Sequence, residues 1–352
     1  MIYKKGALFA QCLYQRVVYN SVRKMSDSGK FKVFVARSDI IIIKMINFVV
    51  IKYRCDIKLW NQASPVPRAE FLKSVPGVNA IYCSLTDRID KELLDAAGPD
   101  LKVVGTISVG YDHIDVAECK KRGIRIGYTP DVLTDATAEL TLALLLATAR
   151  RLPEAIHEAR TGGWVSWAPT WMTGPGLSGA TVGIVGFGRI GIAVARRVKA
   201  FNTAKILYFN RSDKPEASEI GAVKVSLDEL LKQSDFVICC AALVPETKEL
   251  FNKTTFEKMK KSAVFVNTSR GGTVNQNDLI DALKNNTIRA AGLDVTTPEP
   301  LPLDSPLFKL QNCVVLPHIG SATIEARNTM SELTAKNILA ALKGSNMPAE
   351  LK

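Results

Sequence analysis

Three histidines in 352 residues, and seven cysteines (12, 55, 83, 119, 239, 240 and 313) that fall singly or as one adjacent pair, give no ligand spacing for zinc. No metal is expected. Cys83, Cys239 and Cys240 sit inside apolar runs, which suits buried thiols in a reducing compartment rather than a disulfide framework. Long hydrophobic runs are missing as well. The apolar stretch from Ile40 to Ile51 is broken by Lys44 and Asn47 and falls short of the ~20 residues that cross a bilayer, so no membrane span is expected. Basic runs interleaved with aromatics are absent, and the formal charge of +12 therefore reads as a solvated surface suited to anionic ligands, not to nucleic acid. The first 24 residues contain no acid at all. That composition is equally a mitochondrial transit peptide or a dispensable extension, so residues 1–29 are set apart as an N-terminal extension. The cytoplasm is the expected compartment, or the mitochondrion if those first 24 residues target it.

What the chain does have is Thr181-Val-Gly-Ile-Val-Gly-Phe-Gly-Arg-Ile-Gly191, an apolar strand running straight into Gly186, Gly188 and Gly191. This is the G-x-G-x-x-G spacing of a dinucleotide site. The first glycine allows the tight turn, the second lets backbone approach a pyrophosphate, and the third lets the helix pack on its strand. A glycine triplet alone is an ordinary turn as often as a site. Here a helix from Ile190 and a second strand, Lys205 to Phe209, follow in order, and Phe187, Arg189 and Ile190 complete the cofactor-binding turn. About twenty positions on, where NAD sites place an Asp or Glu on the ribose, stands Asn210-Arg211-Ser212. Without a carboxylate to repel a 2′-phosphate, and with a cation and a hydroxyl to hold it, NADP is favoured. NAD remains open if Arg211 is only a solvated turn residue.

With 47% hydrophobic and 23% charged residues, the length suits two ordinary domains. Short apolar runs (Val33 to Ala36, Ala80 to Ser84, Leu101 to Ile107) alternate with helical stretches such as Asp90 to Ala97, a small α/β unit. One long apolar helix is expected from Asp135 to Arg151. Alternation resumes after the glycine motif with Phe236 to Ala241, Ala263 to Asn267, Ala290 to Val295 and Cys313 to Leu316, and Ser226-Leu-Asp-Glu229 opens a helix with a capping box. A final helix should run from Ile324 to Lys343, stopped by Gly344. Such alternation implies an α/β fold in two domains: a Rossmann doubly wound parallel sheet (133–323) inserted in a smaller flavodoxin-like substrate domain (30–132 and 324–352). In such sheets the ligand crevice lies at the carboxyl ends of the strands. Three of those ends carry Asn267-Thr-Ser-Arg270-Gly-Gly, Asp294-Val-Thr-Thr-Pro-Glu299-Pro and Leu316-Pro-His318-Ile-Gly-Ser-Ala-Thr.

These residues suit the reduction of a 2-oxoacid. Arg270 offers a guanidinium fork for a carboxylate or carbonyl oxygen. His318 is a proton donor, and Glu299 is placed to stabilise its imidazolium. Together with the glycine run, and with Ser108-Val-Gly-Tyr-Asp-His113, Gly127-Tyr-Thr-Pro-Asp-Val-Leu-Thr-Asp135 and Arg150-Arg-Leu-Pro-Glu-Ala-Ile156, they make the chain resemble the D-isomer-specific 2-hydroxyacid dehydrogenases from Lys32 to its end. Within that family the wording is most similar to the branch that reduces glyoxylate and hydroxypyruvate.

The resemblance implies that His318, Glu299 and Arg270 are catalytic and that Asp294 faces both nicotinamide and substrate. It implies a cofactor contact at Thr268, substrate contacts at Ser321 and His318, and backbone amides of Val109 and Gly110 on the substrate carboxylate. It also implies a homodimer in which an arm holding Trp164, Trp167 and Trp171 crosses the two-fold and places Trp167 in the partner's pocket; simple packing is the plainer reading of that cluster. Two departures stand out. Segment 40–54 lacks the helix the family has after its first strand, and Ala242 replaces a cofactor-contacting Ser of the reductase branch. His113 reads as structural beside the substrate loop and His157 as a helix-surface residue. Two other readings stay open: NAD-dependent oxidation of another D-2-hydroxyacid, and a dinucleotide-sensing, corepressor-like scaffold that keeps the same three residues.

Overall fold

The computed structural model describes residues 31–38 and 55–352; the expectations for the N-terminal extension and for segment 40–54 fall outside the described residues. The chain divides into two units, one made of the described residues up to Leu133 with Thr323–Lys352, the other of Thr134–Ala322.

In the first unit, β1 (Phe31–Val35), β2 (Cys55–Leu59), β3 (Ala80–Cys83), β4 (Val103–Thr106) and β5 (Arg125–Gly127) form a parallel sheet in the order β2-β1-β3-β4-β5, the flavodoxin-like order. Strands β3 and β4 are buried along their whole length, as the inner strands of a parallel sheet must be. The helix Lys91–Ala97 starts at Asp90, whose carboxylate accepts the Leu93 N–H. The last helix, Ile324–Leu342, is capped by Thr323 and stopped just before Gly344, which takes a left-handed φ of 72°. It packs on this sheet, where the Tyr82 hydroxyl donates to the Ser331 carbonyl at 3.3 Å and Asn337 Nδ2 donates to the Tyr128 carbonyl at 3.0 Å.

The second unit holds β6 (Thr181–Val185), β7 (Lys205–Phe209), β8 (Ala222–Lys224), β9 (Phe236–Cys239), β10 (Val264–Asn267), β11 (Ala290–Leu293) and β12 (Cys313–Val315). All pair in parallel, in the order β12-β11-β10-β9-β6-β7-β8. The order of strand addition reverses between β6 and β9, the switch point at which a doubly wound sheet opens its crevice. Alternate residues feed opposite layers. Val182, Ile184, Phe236, Ile238, Val264 and Val266 join the helices Thr134–Ala149 and Arg189–Lys199 in one core. Val185, Val237, Cys239 and Phe265 join the helices Leu227–Gln233 and Gln276–Lys284 in the other.

The helix expected from Asp135 to Arg151 is present as Thr134–Ala149. Arg151 then turns to a φ of 55°, and a second helix, Leu152–Thr161, begins afresh with Pro153 in its first turn. Proline is at home there because the missing N–H has no intrahelical partner, whereas inside a continuous helix it would break the ladder.

Candidate active site

The turn after β6 does what its glycines suggested. Gly186 has φ 90°, and a β-carbon there would lie 2.5 Å from the Ala241 nitrogen. A β-carbon on Gly191 would lie 2.2 Å from the Gly186 carbonyl oxygen, so the helix can approach its strand only with glycine at that place. At Gly188 the same atom would stand in open space, on the side where a pyrophosphate would come against the start of Arg189–Lys199, a helix with no side-chain cap. The residues present therefore fit a dinucleotide. The Phe187 ring does not face that space: it is fully buried and stacked on Tyr208 with centroids 4.2 Å apart.

Asn210 ties this turn to the adenosine end. Its Oδ1 accepts the Phe187 N–H at 3.1 Å and its Nδ2 donates to the Ser212 carbonyl at 2.8 Å. Each end of the amide thereby holds backbone, and Arg211 and Ser212 are the exposed groups beside it. Ala242 is exposed and offers no side-chain hydrogen bond; its carbonyl accepts the Thr247 hydroxyl at 2.6 Å.

Two neighbouring strand ends build the reactive side. Asn267, the last residue of β10, is fully buried, and its whole side chain is given to the loop that follows. Its Oδ1 accepts the Ser269 N–H at 3.0 Å and the Ser269 hydroxyl at 2.8 Å; its Nδ2 donates to the Arg270 carbonyl at 3.0 Å. The turn that presents Arg270 is thus fixed from within, and the half-buried guanidinium donates through Nη1 to the Ser269 carbonyl at 2.9 Å. Thr268 points inward, its hydroxyl 2.7 Å from that of Thr141. Since Thr141 donates to the Thr137 carbonyl, Thr268 is the donor of that pair.

Asp294 follows β11 and is 1% exposed. Its carboxylate accepts the Ile319 N–H and the Gly320 N–H, each at 2.8 Å. Those amides belong to the turn after β12 that carries His318 at φ 53°, a left-handed conformation that costs an ordinary residue about 1–2 kcal/mol. Asp294 is therefore an anchor for the His318 turn, a role its sequence position did not reveal. Burial pushes its carboxyl above the usual carboxylate range, with the Ile319 N–H, the His318 charge and the Gly320 N–H offsetting only part.

His318 Nδ1 lies 2.7 Å from Glu299 Oε2, and Glu299 Oε1 accepts the Thr296 N–H at 3.0 Å. Burial alone would raise the Glu299 carboxyl. The His318 hydrogen bond and charge, the Thr296 N–H and the nearby charge of Arg270 together hold it below the usual range. An ionised Glu299 requires a proton on Nδ1, which leaves Nε2 as the nitrogen that exchanges protons with a ligand. His318, Glu299, Arg270 and Asp294 are thus brought together within one unit. Ser321 is half-buried three residues beyond His318.

In the other unit, Val109 and Gly110 are half-buried in the loop after β4, and among the described residues neither N–H donates to a protein acceptor. His113 lies beside that loop, and His157 is exposed on its helix. Trp167 is 82% exposed, the most open of the three arm tryptophans. Among the described residues no group of three His, Cys, Asp or Glu could hold a metal ion, and no helix is long and apolar enough to cross a membrane.

The chain is similar to known proteins. Residues 142–320 match the family model described as D-isomer specific 2-hydroxyacid dehydrogenase, NAD binding domain. The chain is 56% identical over 299 residues to the glyoxylate reductase/hydroxypyruvate reductase of Mus musculus, covering 85% of this chain and 91% of that protein. A crystal structure of a Thermus thermophilus protein aligns with a TM-score of 0.84 and 41% identity over 91% of this chain and 100% of that one. The NADPH-dependent glyoxylate/hydroxypyruvate reductase of Sinorhizobium meliloti, solved with NADP and malonate, aligns with a TM-score of 0.77 and 30% identity over 92% of this chain and 97% of that one.

Proposed function

The chain belongs to the D-isomer-specific 2-hydroxyacid dehydrogenases, and from that premise we propose that it reduces glyoxylate to glycolate and hydroxypyruvate to D-glycerate with NADPH. The observation that carries this reading is the 2.7 Å His318–Glu299 pair beside Arg270, in a chain 56% identical to a glyoxylate reductase/hydroxypyruvate reductase. A bound NADPH supplies hydride to the carbonyl carbon. The protein's own groups do the rest. Arg270 holds the oxoacid and polarises its carbonyl oxygen. His318 Nε2–H protonates that oxygen as it gains charge, and Glu299 stabilises the imidazolium that must be present beforehand. The free amides of Val109 and Gly110 take the substrate's carboxylate, Ser321 borders the same ligand, and Asp294 keeps the His318 turn in place.

Preference for NADPH rests on the exposed Arg211 and Ser212 and on the neutral Asn210, which offers a 2′-phosphate no carboxylate to repel it. Arg211→Asp replaces a cation by a carboxylate next to the 2′-phosphate, and the ratio of kcat/KM for NADPH over NADH should fall by about two orders of magnitude. An unchanged ratio in glyoxylate-dependent assays would remove this residue from cofactor selection.

The partner is a second copy of the same chain. The helix Leu152–Thr161 buries none of its residues, leaving Leu152 and Ile156 exposed, and Trp164, Val165 and Trp167 in the following arm are exposed too. So many exposed large apolar side chains within one short segment suit an interface. Sedimentation should give twice the monomer mass, and Trp167→Ala should keep that mass while raising KM for the oxoacid; a monomer at micromolar concentration contradicts the arrangement.

A further inference from the structure

A chain of buried hydroxyls runs beneath the Val109–Gly110 loop and ends on a histidine that the reaction does not use. Ser108 Oγ donates to the Gly110 carbonyl at 2.6 Å. Thr106 Oγ1 lies 2.8 Å from Ser108 Oγ and 3.0 Å from His113 Nε2. Thr106 and Ser108 are both buried.

Proton counting gives the chain one direction. The single Ser108 hydroxyl proton is spent on the Gly110 carbonyl, so the proton between the two hydroxyls is that of Thr106. Thr106 then has only a lone pair to offer His113, and Nε2 must be the donor. The order is His113 Nε2–H to Thr106, Thr106 to Ser108, Ser108 to the Gly110 carbonyl. A histidine donating from Nε2 keeps this order whether neutral or protonated. The His113 backbone is pinned independently, its carbonyl accepting the Ile89 N–H at 2.9 Å.

We propose that His113 is a positioning residue for the Val109–Gly110 amides, acting through Thr106 and Ser108 on the Gly110 carbonyl. This rests on the reading above that those amides take the substrate's carboxylate. Fixing the Gly110 carbonyl inward fixes the peptide that follows the two amides, and with it the direction in which they present their hydrogens. Without the relay the loop must reorganise before each carboxylate binds, and that cost appears in substrate affinity rather than in proton transfer.

The test uses the full-length protein with NADPH, measuring KM for glyoxylate, kcat, KM for NADPH, thermal melting, and malonate affinity by calorimetry on the NADP-loaded protein. His113→Leu and Thr106→Val should each raise the glyoxylate KM and weaken malonate binding by about tenfold, with kcat and the NADPH KM little changed. His113→Gln, whose Nε2 can still donate to Thr106, should return both to within about threefold of the parent. A folded His113→Leu protein with parental glyoxylate KM and malonate affinity overturns the proposal. So does a uniform loss in every constant with a lowered melting temperature and no recovery in His113→Gln, which is the mark of a merely structural residue. If the parent binds malonate but does not reduce glyoxylate, the proposed reaction fails while the malonate affinities of the variants still decide the relay. If the parent reduces glyoxylate but binds no malonate, the reaction stands and the glyoxylate KM values of the variants decide the relay; a parent that does neither overturns both.

Discussion

His318→Asn should fold and bind NADPH as the parent does, yet lose on the order of 10² to 10⁴ in kcat for glyoxylate, the range a positioned general acid contributes. Asparagine is the informative replacement. His318 sits at φ 53°, and asparagine is among the few residues that tolerate this region, so the turn held by Asp294 survives. Its amide can also donate to Glu299, keeping that carboxylate partnered. What it lacks is a titratable proton to give to the carbonyl oxygen. Steady-state kinetics beside a thermal melt separates the cases: a fall in kcat with an unchanged melting temperature is expected, and a variant that keeps most of its kcat removes His318 as the proton donor.

Arg270→Lys is expected to lower kcat/KM by about 10² to 10³, although the charge is retained, because lysine is a point charge without the planar fork. The loss should stay local. Asn267 holds the loop through the backbone of residues 269 and 270 and through the Ser269 hydroxyl, none of which the substitution touches. The division between constants is informative: a rise in KM alone means that Arg270 holds only the carboxylate, and a fall in kcat as well means that it polarises the carbonyl. Glyoxylate kinetics within about threefold of the parent would contradict both roles.

Much of this is legible in the sequence. The strand β7 runs over Lys205–Phe209 as its apolar run suggests, the Ser226 capping box is formed, and the glycine spacing becomes a turn whose close contacts admit nothing larger at Gly186 and Gly191. The grouping of Arg270, Glu299 and His318 followed from placing motifs at the ends of parallel strands, a rule of the sheet rather than of any residue. What stayed hidden are side chains whose task is to hold backbone. Asn267, Asp294 and Asn210 each hold main-chain groups of a neighbouring turn, and nothing in sequence spacing separates such a side chain from one that touches a ligand. Asp294 in particular reads as a ligand-facing acid until both its oxygens are seen to hold the His318 turn. Two short strands are hidden for a different reason. β5 and β8 are three residues each and include a charged residue, Arg125 and Lys224, whereas the equally short β12 lies in an unbroken apolar run that reveals it.

The most direct test is the oxidation of NADPH by the parent protein, followed spectrophotometrically at saturating cofactor with glyoxylate, hydroxypyruvate and pyruvate, and repeated with NADH. Expected is turnover on glyoxylate and hydroxypyruvate that is faster with NADPH than with NADH, with glycolate and D-glycerate as products. Negligible turnover on both acids at saturating NADPH, with the cofactor still bound, would contradict it and leave a dinucleotide-sensing scaffold in its place.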